Sequence, residues 1–207
     1  VKAMRDACDL SITVKHRIGI DDMESYEELV DFVQPIAEAG CEVFIVHARK
    51  AWLQGLSPKQ NREIPPLNYP WVYSLKKDFP ALHIVLNGGI QSIAECRAHL
   101  AHVDGVMVGR EAYQNPWMLI DVDTSLFGAA PLVRSRDDVI AALLPYVRQQ
   151  LEQGARLNHI TRHILGLYQG VPGARKFRRH LSENAFRQDA GIEVLEQALG
   201  MVKPHAA

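Results

Sequence analysis

The sequence predicts an α/β fold with a parallel β-sheet, followed by a small all-helical domain. Up to about residue 118, short β-branched apolar runs alternate with amphipathic helical patterns, which is typical of successive βα units. From Ser135 onward the patterns are helical throughout, with apolar residues repeating at helical spacing. We therefore expect one domain over 1–118, a linker over 119–134 and a helical domain over 135–207.

Four apolar runs predict the strands, and each is expected to be buried on both faces. These runs are Ile12–Val14, Val43–Val46, Ile84–Leu86 and Val106–Val108. Helix starts are indicated by Ser-x-x-Glu or Ser-x-x-Asp patterns and by an Asn that precedes a proline. They lie at Ser25, Asn68, Ser92 and Ser135. Further helices are expected at Leu157–Tyr168, Ala174–Asn184 and Ile192–Val202.

The composition excludes several classes of protein. The chain has 207 residues, 47% of them hydrophobic, so it is neither collagen-like nor a disordered tail. It has 23 basic and 24 acidic residues, so any affinity for nucleic acid must come from a local patch. An apolar stretch of the roughly 18 residues that span a membrane is absent from the sequence. We expect a cytoplasmic protein without a metal site.

The cysteines favour the same compartment. There are three of them, without a CxxC pair, which argues against a disulfide framework and against zinc. Cys8, Cys41 and Cys96 are each interpreted as small buried hydrophobic residues.

Each predicted strand is followed by a cation, a histidine, an amide or glycine backbone, at the end where parallel α/β folds bind ligands. These residues are Lys15, His47, Asn87, Gly88, Gly89, Gly109 and Arg110. The two glycines after Asn87, the helix start at Ser92, and the Arg110 guanidinium together suggest a phosphate clamp. The last strands of a (β/α)₈ barrel frequently build such a site.

Each of these residues also has a structural interpretation that the sequence leaves open. The Gly88–Gly89 pair can form a simple turn, and Lys15 can pair with a carboxylate instead of a bound anion. His47 can be a satisfied structural histidine at a strand end. If a redox ring lies over the strand ends, Lys15 and His47 are placed to stabilise negative charge on its reduced form.

A basic segment in the helical domain predicts contact with RNA. No acidic residue occurs between Glu152 and Glu183, while six arginines and lysines do. Arg175, Arg178 and Arg179 fall on one helical face, which suits a phosphate backbone, although a merely solvated face is the alternative. The long segment before Asn68 adds two cations, and two aromatic residues can either stack on bases or pack. These four are Lys59, Arg62, Trp52 and Tyr113.

Four long strings resemble one family, the tRNA-dihydrouridine synthases, and specifically its A subfamily. They are TVKHRIGID at 13–21, FIVHARKAWLQGLSPKQNREIPPL at 44–67, LNGGI at 86–90 and VMVGREAYQNPW at 106–117. The resemblance covers essentially the whole chain. It implies the C-terminal half of a TIM (β/α)₈ barrel, followed by a helical tRNA-binding domain.

The resemblance also implies a reaction and a division of roles. Family members bind FMN, recharge it with NADPH and reduce D-loop uridine of tRNA to dihydrouridine. Lys15 and His47 match positions at the isoalloxazine ring. Asn87, Gly88, Gly89, Gly109 and Arg110 match contacts toward the ribityl phosphate. Lys59, Arg62, Arg175 and Arg178 match positions that contact tRNA or distinguish subfamilies.

The family's catalytic cysteine matches none of the three cysteines here, and it lies in the half-barrel that precedes the matched region. We therefore expect a fragment without turnover, whose two open strand edges pair with the missing half or with another copy. Two other functions remain open. One is an FMN barrel oxidoreductase acting on a small metabolite, which leaves the basic tail without a role. The other is a non-enzymatic RNA-binding remnant, which makes the phosphate clamp accidental.

Overall fold

The computed structural model describes residues 1–130 and 135–202. The chain forms two compact units, Val1–Gly109 and Arg110–Ala207, and each is described by itself. Within the described ranges, no helix is both long and apolar enough to cross a membrane.

The first unit contains a four-stranded parallel sheet in the order β1-β2-β3-β4. Its strands are β1 (Thr13–Arg17), β2 (Val43–His47), β3 (His83–Asn87) and β4 (Gly105–Met107). Its helices are α1 (Lys2–Ala7), α2 (Tyr26–Glu38), α3 (Tyr69–Asp78) and α4 (Ile93–Leu100). Strands that follow one another in sequence are neighbours in space, as in a segment of a (β/α)₈ barrel. The predicted fold class is confirmed.

The two faces of this sheet differ in burial. Phe44, Val46, Ile84 and Leu86 are fully buried, because the crossover helices pack on their side. The alternate positions point to the opposite face, where a side chain such as Ile45 is only half-buried. The expectation that the strands are buried on both faces is therefore wrong for this sheet, and β1 and β4 form its edges.

The predicted helix starts are confirmed by their hydrogen bonds. The hydroxyl oxygens of Ser25, Ser92 and Ser135 each accept from the backbone N–H three residues on, and each partner carboxylate accepts from the serine N–H. The Asn68 side chain caps α3 in the same way, by accepting from the N–H of Trp71. Such caps each stabilise a helix by about 1 kcal/mol.

The second unit is helical. It contains α5 (Arg110–Gln114), a 3₁₀ helix (Pro116–Asp121), α6 (Val122–Phe127), α7 (Arg136–Glu152), α8 (Leu157–Thr161), α9 (Ala174–Asn184) and α10 (Ile192–Leu199). Its core includes Val147, Leu157, Phe177 and Leu195, which are all fully buried.

Two sequence expectations differ from the structure of this unit. The helix expected over Leu157–Tyr168 ends at Thr161, and turns continue to Gly173. Gly170 and Gly173 adopt positive φ angles of 80° and 91°, which keep the last of these turns from forming a helix. The segment expected to be a linker, 119–134, is helical as far as Phe127, and its residues 131–134 lie outside the described part. The domain boundary at 118 stays a prediction.

Candidate functional site

The carboxyl ends of the strands bring three polar side chains into one row. Arg17 lies in register with His47, His47 with Asn87, and Asn87 with Met107. Lys15 stands opposite Ile45, two residues before the end of β1, so it shares the face of Arg17 but lies one layer deeper along the strand. Lys15, His47 and Asn87 therefore meet on one face, as predicted, and Arg17 is the member that sequence reasoning missed.

The environment of Lys15 differs from both interpretations of the sequence. The side chain is exposed, so burial does not force it to find a counter-ion. Its ammonium group also has no ion-pair partner within residues 1–130 and 135–202, which removes the alternative of a structural salt bridge. An exposed cation above a strand end is free to meet a bound anion.

A hydrogen-bond chain fixes the tautomer of His47. The Asn87 Nδ2 donates to the carbonyl oxygen of Met107 over 2.7 Å, which places the amide oxygen of Asn87 toward His47. That oxygen lies 2.9 Å from Nδ1 of His47, so Nδ1 carries the proton and donates. Nε2 of His47 is then a bare acceptor. It is buried, and it has no hydrogen-bond partner among the described residues.

The surroundings of His47 keep its ring neutral. The pKa of His47 is lowered to about 4. Burial is the largest cause, followed by the positive charge of Arg17 and, with smaller effects, those of Lys15 and Arg49. The hydrogen bond to Asn87 acts in the opposite direction. At neutral pH the ring therefore offers an acceptor and not a positive charge. This geometry makes His47 suited to an N–H or O–H group of a ligand and unsuited to a phosphate.

The Gly88–Gly89 turn has the backbone that an anion cradle needs. The φ angles of Gly88 and Gly89 are 115° and 74°, in a region that residues other than glycine rarely adopt. A Cβ on Gly89 would lie 2.7 Å from Cδ1 of Leu67 and 3.0 Å from the hydroxyl of Tyr69, which itself donates to the carbonyl of Gly88. Packing under the turn thus requires glycine as well, so the structural interpretation of the pair also holds.

One part of the expected phosphate clamp meets an opposing charge. The start of α4 was expected to add positive potential, but the Glu95 carboxylate already accepts from the N–H groups of Gln91 and Ser92, at 2.6 and 3.1 Å. The charge of that carboxylate opposes an anion at the same place. Gly109 has open space where a Cβ would stand, and Arg110 belongs to the second unit, so the roles of these two residues stay predictions.

The long segment between β2 and α3 is held by two arginines. The Arg17 guanidinium donates to the carbonyl oxygens of Lys50 and Asn61, at 2.6 and 3.0 Å. Arg49 donates to two carbonyl oxygens further along, and the Asn61 amide bonds both the N–H and the carbonyl of Trp52. Lys59 and Arg62 lie at the short 3₁₀ turn that this frame supports, and both residues are exposed.

In the second unit, an open groove of about 630 Å³ contains two of the predicted RNA-binding residues. Arg175 and Arg178 line it, and their guanidinium groups have no ion-pair partner among the residues described. Arg162, another cation of the acid-free segment between Glu152 and Glu183, also lines the groove. We call this site the arginine groove; its polar lining is Tyr113, Gln114, Arg162, Gln169, Arg175 and Arg178.

Arg179 behaves differently from its neighbours. Its guanidinium pairs with Glu183 over 2.8 Å, and it is absent from the lining of the arginine groove. The expectation that it forms one uncompensated stripe with Arg175 and Arg178 is therefore wrong. Residues at i and i+4 on a helix are neighbours, and Glu183 is four residues after Arg179.

Two of the three cysteines lie away from the carboxyl ends of the strands. Cys41 and Cys96 are buried, as expected, whereas Cys8 is exposed after α1, so its interpretation as a buried residue is wrong. Cys8 and Cys41 precede β1 and β2, at the opposite end of the sheet from Arg17 and His47. No cluster of His, Cys, Asp or Glu within the described part of the chain could hold a metal ion.

Comparison with known proteins gives close relatives. The tRNA-dihydrouridine(20/20a) synthase of Yersinia pestis is 61% identical, over 99% of this chain and 59% of its own length. Those of Vibrio cholerae and Escherichia coli K12 are 57% and 59% identical, over 98% of this chain and 62% and 59% of their own lengths. This chain therefore spans about three fifths of the curated relatives it matches. A solved mandelate oxidase matches with a TM-score of 0.41 and 16% identity, over 69% of this chain and 55% of that one.

A model of the family described as dihydrouridine synthase (Dus) matches residues 1–203, which is nearly the whole chain. The strings that carried the resemblance lie at the strand ends and in the segment that Arg17 and Arg49 hold. This chain belongs to the dihydrouridine synthase family.

Proposed function

We propose that this chain forms the flavin-binding and tRNA-binding part of an enzyme that reduces uridine to dihydrouridine in the D-loop of tRNA, with FMN as cofactor and NADPH as reductant. The observation that carries the proposal is the row at the strand ends, where a neutral His47 with a bare acceptor stands beside the unpaired cation of Lys15. The close relatives named for this reaction at positions 20 and 20a support it, and we propose the same positions here.

The residues at the strand ends fit FMN by their chemistry. Nε2 of His47 accepts a hydrogen bond, so it suits an N–H of the isoalloxazine ring or a ribityl hydroxyl. Lys15 supplies a positive charge for the ring, and Asn87 fixes the orientation of His47. The backbone at Gly88–Gly89 and Gly109 is proposed for the phosphate end, and the part of Arg110 in it stays the prediction of the sequence. FMN, once bound there and reduced by NADPH, would supply the hydride for the C5–C6 bond of uracil.

This chain's own residues divide the remaining work. Lys15 stabilises negative charge that develops on the reduced ring, and His47 stays neutral and holds it in place. Because His47 has a pKa of about 4, it has no proton to give from Nε2 at neutral pH. Cys8 and Cys41 lie at the opposite end of the sheet, and Cys96 is buried within α4. We therefore propose that the proton donor to the uracil carbon is a residue outside this chain, and that the chain alone has no turnover.

Two basic surfaces are proposed to hold the tRNA. Lys59 and Arg62 lie on the segment next to the flavin site, and Arg175 and Arg178 line the arginine groove. A uridine must leave its stack to reach a flavin, and cations that bind the phosphates around it stabilise that distorted loop. Arg179 is a weaker candidate, because Glu183 already compensates its charge.

The test uses the purified chain with FMN and, separately, with tRNA. We expect FMN fluorescence to be quenched on binding, with loss of binding in Lys15→Ala. We expect tRNA retention that falls steeply with salt, because phosphate contacts release counter-ions. A small-metabolite oxidoreductase would bind FMN without retaining tRNA, and an RNA-binding remnant would do the reverse. Binding of neither would refute the proposal.

The location and assembly of the protein belong to the same proposal. We propose a cytoplasmic location, because the proposed substrate is tRNA. The edges at β1 and β4 each present backbone groups that another strand can pair with, so we expect dimers or aggregates of the isolated chain. Size-exclusion chromatography tests this, and a stable monomer at micromolar concentration would contradict it.

A further inference from the structure

The arginine groove has features that contact with a phosphate backbone alone does not need. Its lining combines three guanidinium groups with one aromatic ring and two side-chain amides. Its volume of about 630 Å³ is within the range of small-molecule sites. All of its lining residues belong to the helical unit, so the groove is complete without the flavin site.

The three arginines form the anion-binding part of the groove. Nε of Arg162 donates to Nε2 of His163 over 3.1 Å, which orients the guanidinium and leaves its terminal nitrogens available. Arg175 and Arg178 are one helical turn apart on α9 and have no ion-pair partner in the described ranges. Three guanidinium groups of this kind suit a phosphate, which each can bind through two parallel hydrogen bonds.

The aromatic part of the groove is Tyr113. Its side chain is 55% exposed, and its ring meets the ring of His163 edge to face, with centroids 5.7 Å apart at 81°. His163 thus orients both the aromatic and the anion-binding part of the groove, because it contacts the ring of Tyr113 and accepts a hydrogen bond from Arg162. An exposed, oriented phenol ring beside cations is the arrangement on which an unstacked base stacks.

The amides of Gln114 and Gln169 lie beside this ring in the groove lining. Each carries a donor and an acceptor, and neither amide has a hydrogen-bond partner among the side chains described. Such amides can bond the polar edge of a base, as glutamine does with adenine. A phosphate uses only the donor of such an amide, whereas the edge of a base can use both its donor and its acceptor.

We propose that the arginine groove binds one unstacked nucleotide of RNA, with its phosphate on Arg162, Arg175 and Arg178 and its base on Tyr113. The nucleotide belongs to the tRNA substrate, so this inference rests on the proposed function. It adds to that function a second point at which a base is taken out of its stack, separate from the uridine at the flavin.

The first experiment measures binding of AMP and of ribose 5-phosphate to the full chain by NMR titration. If the base stacks in the groove, AMP binds about tenfold more tightly than ribose 5-phosphate. Tyr113→Ala removes that difference and Tyr113→Phe keeps it, because the phenyl ring still stacks. Tyr146→Ala is the matched control, since Tyr146 is 51% exposed on α7 and is not part of the groove lining.

The second experiment measures the phosphate contact. Arg178→Ala weakens both AMP and ribose 5-phosphate, whereas Arg179→Ala, which changes the same charge on the same helix, leaves both unchanged. Equal binding of AMP and ribose 5-phosphate, or an unchanged affinity in Tyr113→Ala, overturns the nucleotide site. Retention of tRNA is measured in parallel. If the chain retains tRNA but binds AMP no more tightly than ribose 5-phosphate, the nucleotide site is refuted and the proposed function stands. If the unmodified chain does not retain tRNA, the result counts against the proposed function itself.

Discussion

Asn87 is the residue through which the candidate flavin site can be tested most directly. Its amide makes two hydrogen bonds, to Nδ1 of His47 at 2.9 Å and to the carbonyl of Met107 at 2.7 Å, and the residue is 9% exposed. Asn87→Ala removes both bonds, each worth about 1 kcal/mol, and leaves the Nδ1–H of His47 without an acceptor, at a further cost of about 1–2 kcal/mol. We expect a loss of about 3–4 kcal/mol in the free energy of unfolding.

A double-mutant cycle measured by urea unfolding separates the pair from its surroundings. The variants are Asn87→Ala, His47→Ala and the double variant, and we expect a coupling energy of about 1 kcal/mol. Asn87→Asp is the matched variant for the electrostatics. It keeps an acceptor for Nδ1 but adds a negative charge, so the pKa of His47 must rise above its present value of about 4.

Long-range nitrogen–proton NMR spectra of the imidazole complete the test, because they report which ring nitrogen carries the proton. The structure requires the proton on Nδ1 at pH 7. A proton on Nε2, together with a coupling energy near zero, would refute the assigned amide orientation and with it the bare acceptor of His47.

Three further outcomes follow from the same structure. The free energy of unfolding falls by about 1–2 kcal/mol as the pH drops from about 6.5 to 4, because the unfolded chain protonates His47 while the folded ring resists it; urea unfolding shows a smaller fall in His47→Gln. Gly166→Ala places a Cβ 1.9 Å from the backbone carbonyl oxygen of Gln114. We expect it to lower the melting temperature by more than Gly170→Ala does, because the space at Gly170 is open and only its φ of 80° opposes a side chain. Asn61→Ala breaks both bonds to Trp52 and increases cleavage of that segment in limited proteolysis, whereas an unchanged cleavage rate would show that the arginines alone hold it.

The parts of the fold that the sequence predicted are those that local patterns determine. The strands follow from β-branched runs, and the starts of α2, α4 and α7 follow from a serine and a carboxylate three residues apart. That Lys15, His47 and Asn87 share a face follows from the two-residue period of strands once the sheet is parallel. The level of Lys15 along β1 could not be predicted, because the register between strands depends on contacts distant in the sequence.

Two carboxylates in the sequence oppose positive charge that the sequence analysis assigns to ligand binding. Glu183, which bounds the acid-free segment, is one helical turn from Arg179 and pairs with it. Glu95, the carboxylate of the capping box at the start of α4, lies where an anion is expected. In both cases the negative charge is visible in the sequence itself.

The balance of charge at the strand ends limits what this half of the site can do. Burial, and after it the charge of Arg17, lowers the pKa of His47 and keeps its ring neutral. Arg17 is itself occupied with two carbonyl groups of the neighbouring segment. The face therefore offers a cation at Lys15 and a neutral acceptor at His47, whose Nε2 carries no proton at pH 7. Such a face suits the binding of an electron-rich ring, and His47 on it cannot protonate a carbon. If the proposed reduction is correct, His47 holds the ring and another group delivers the proton.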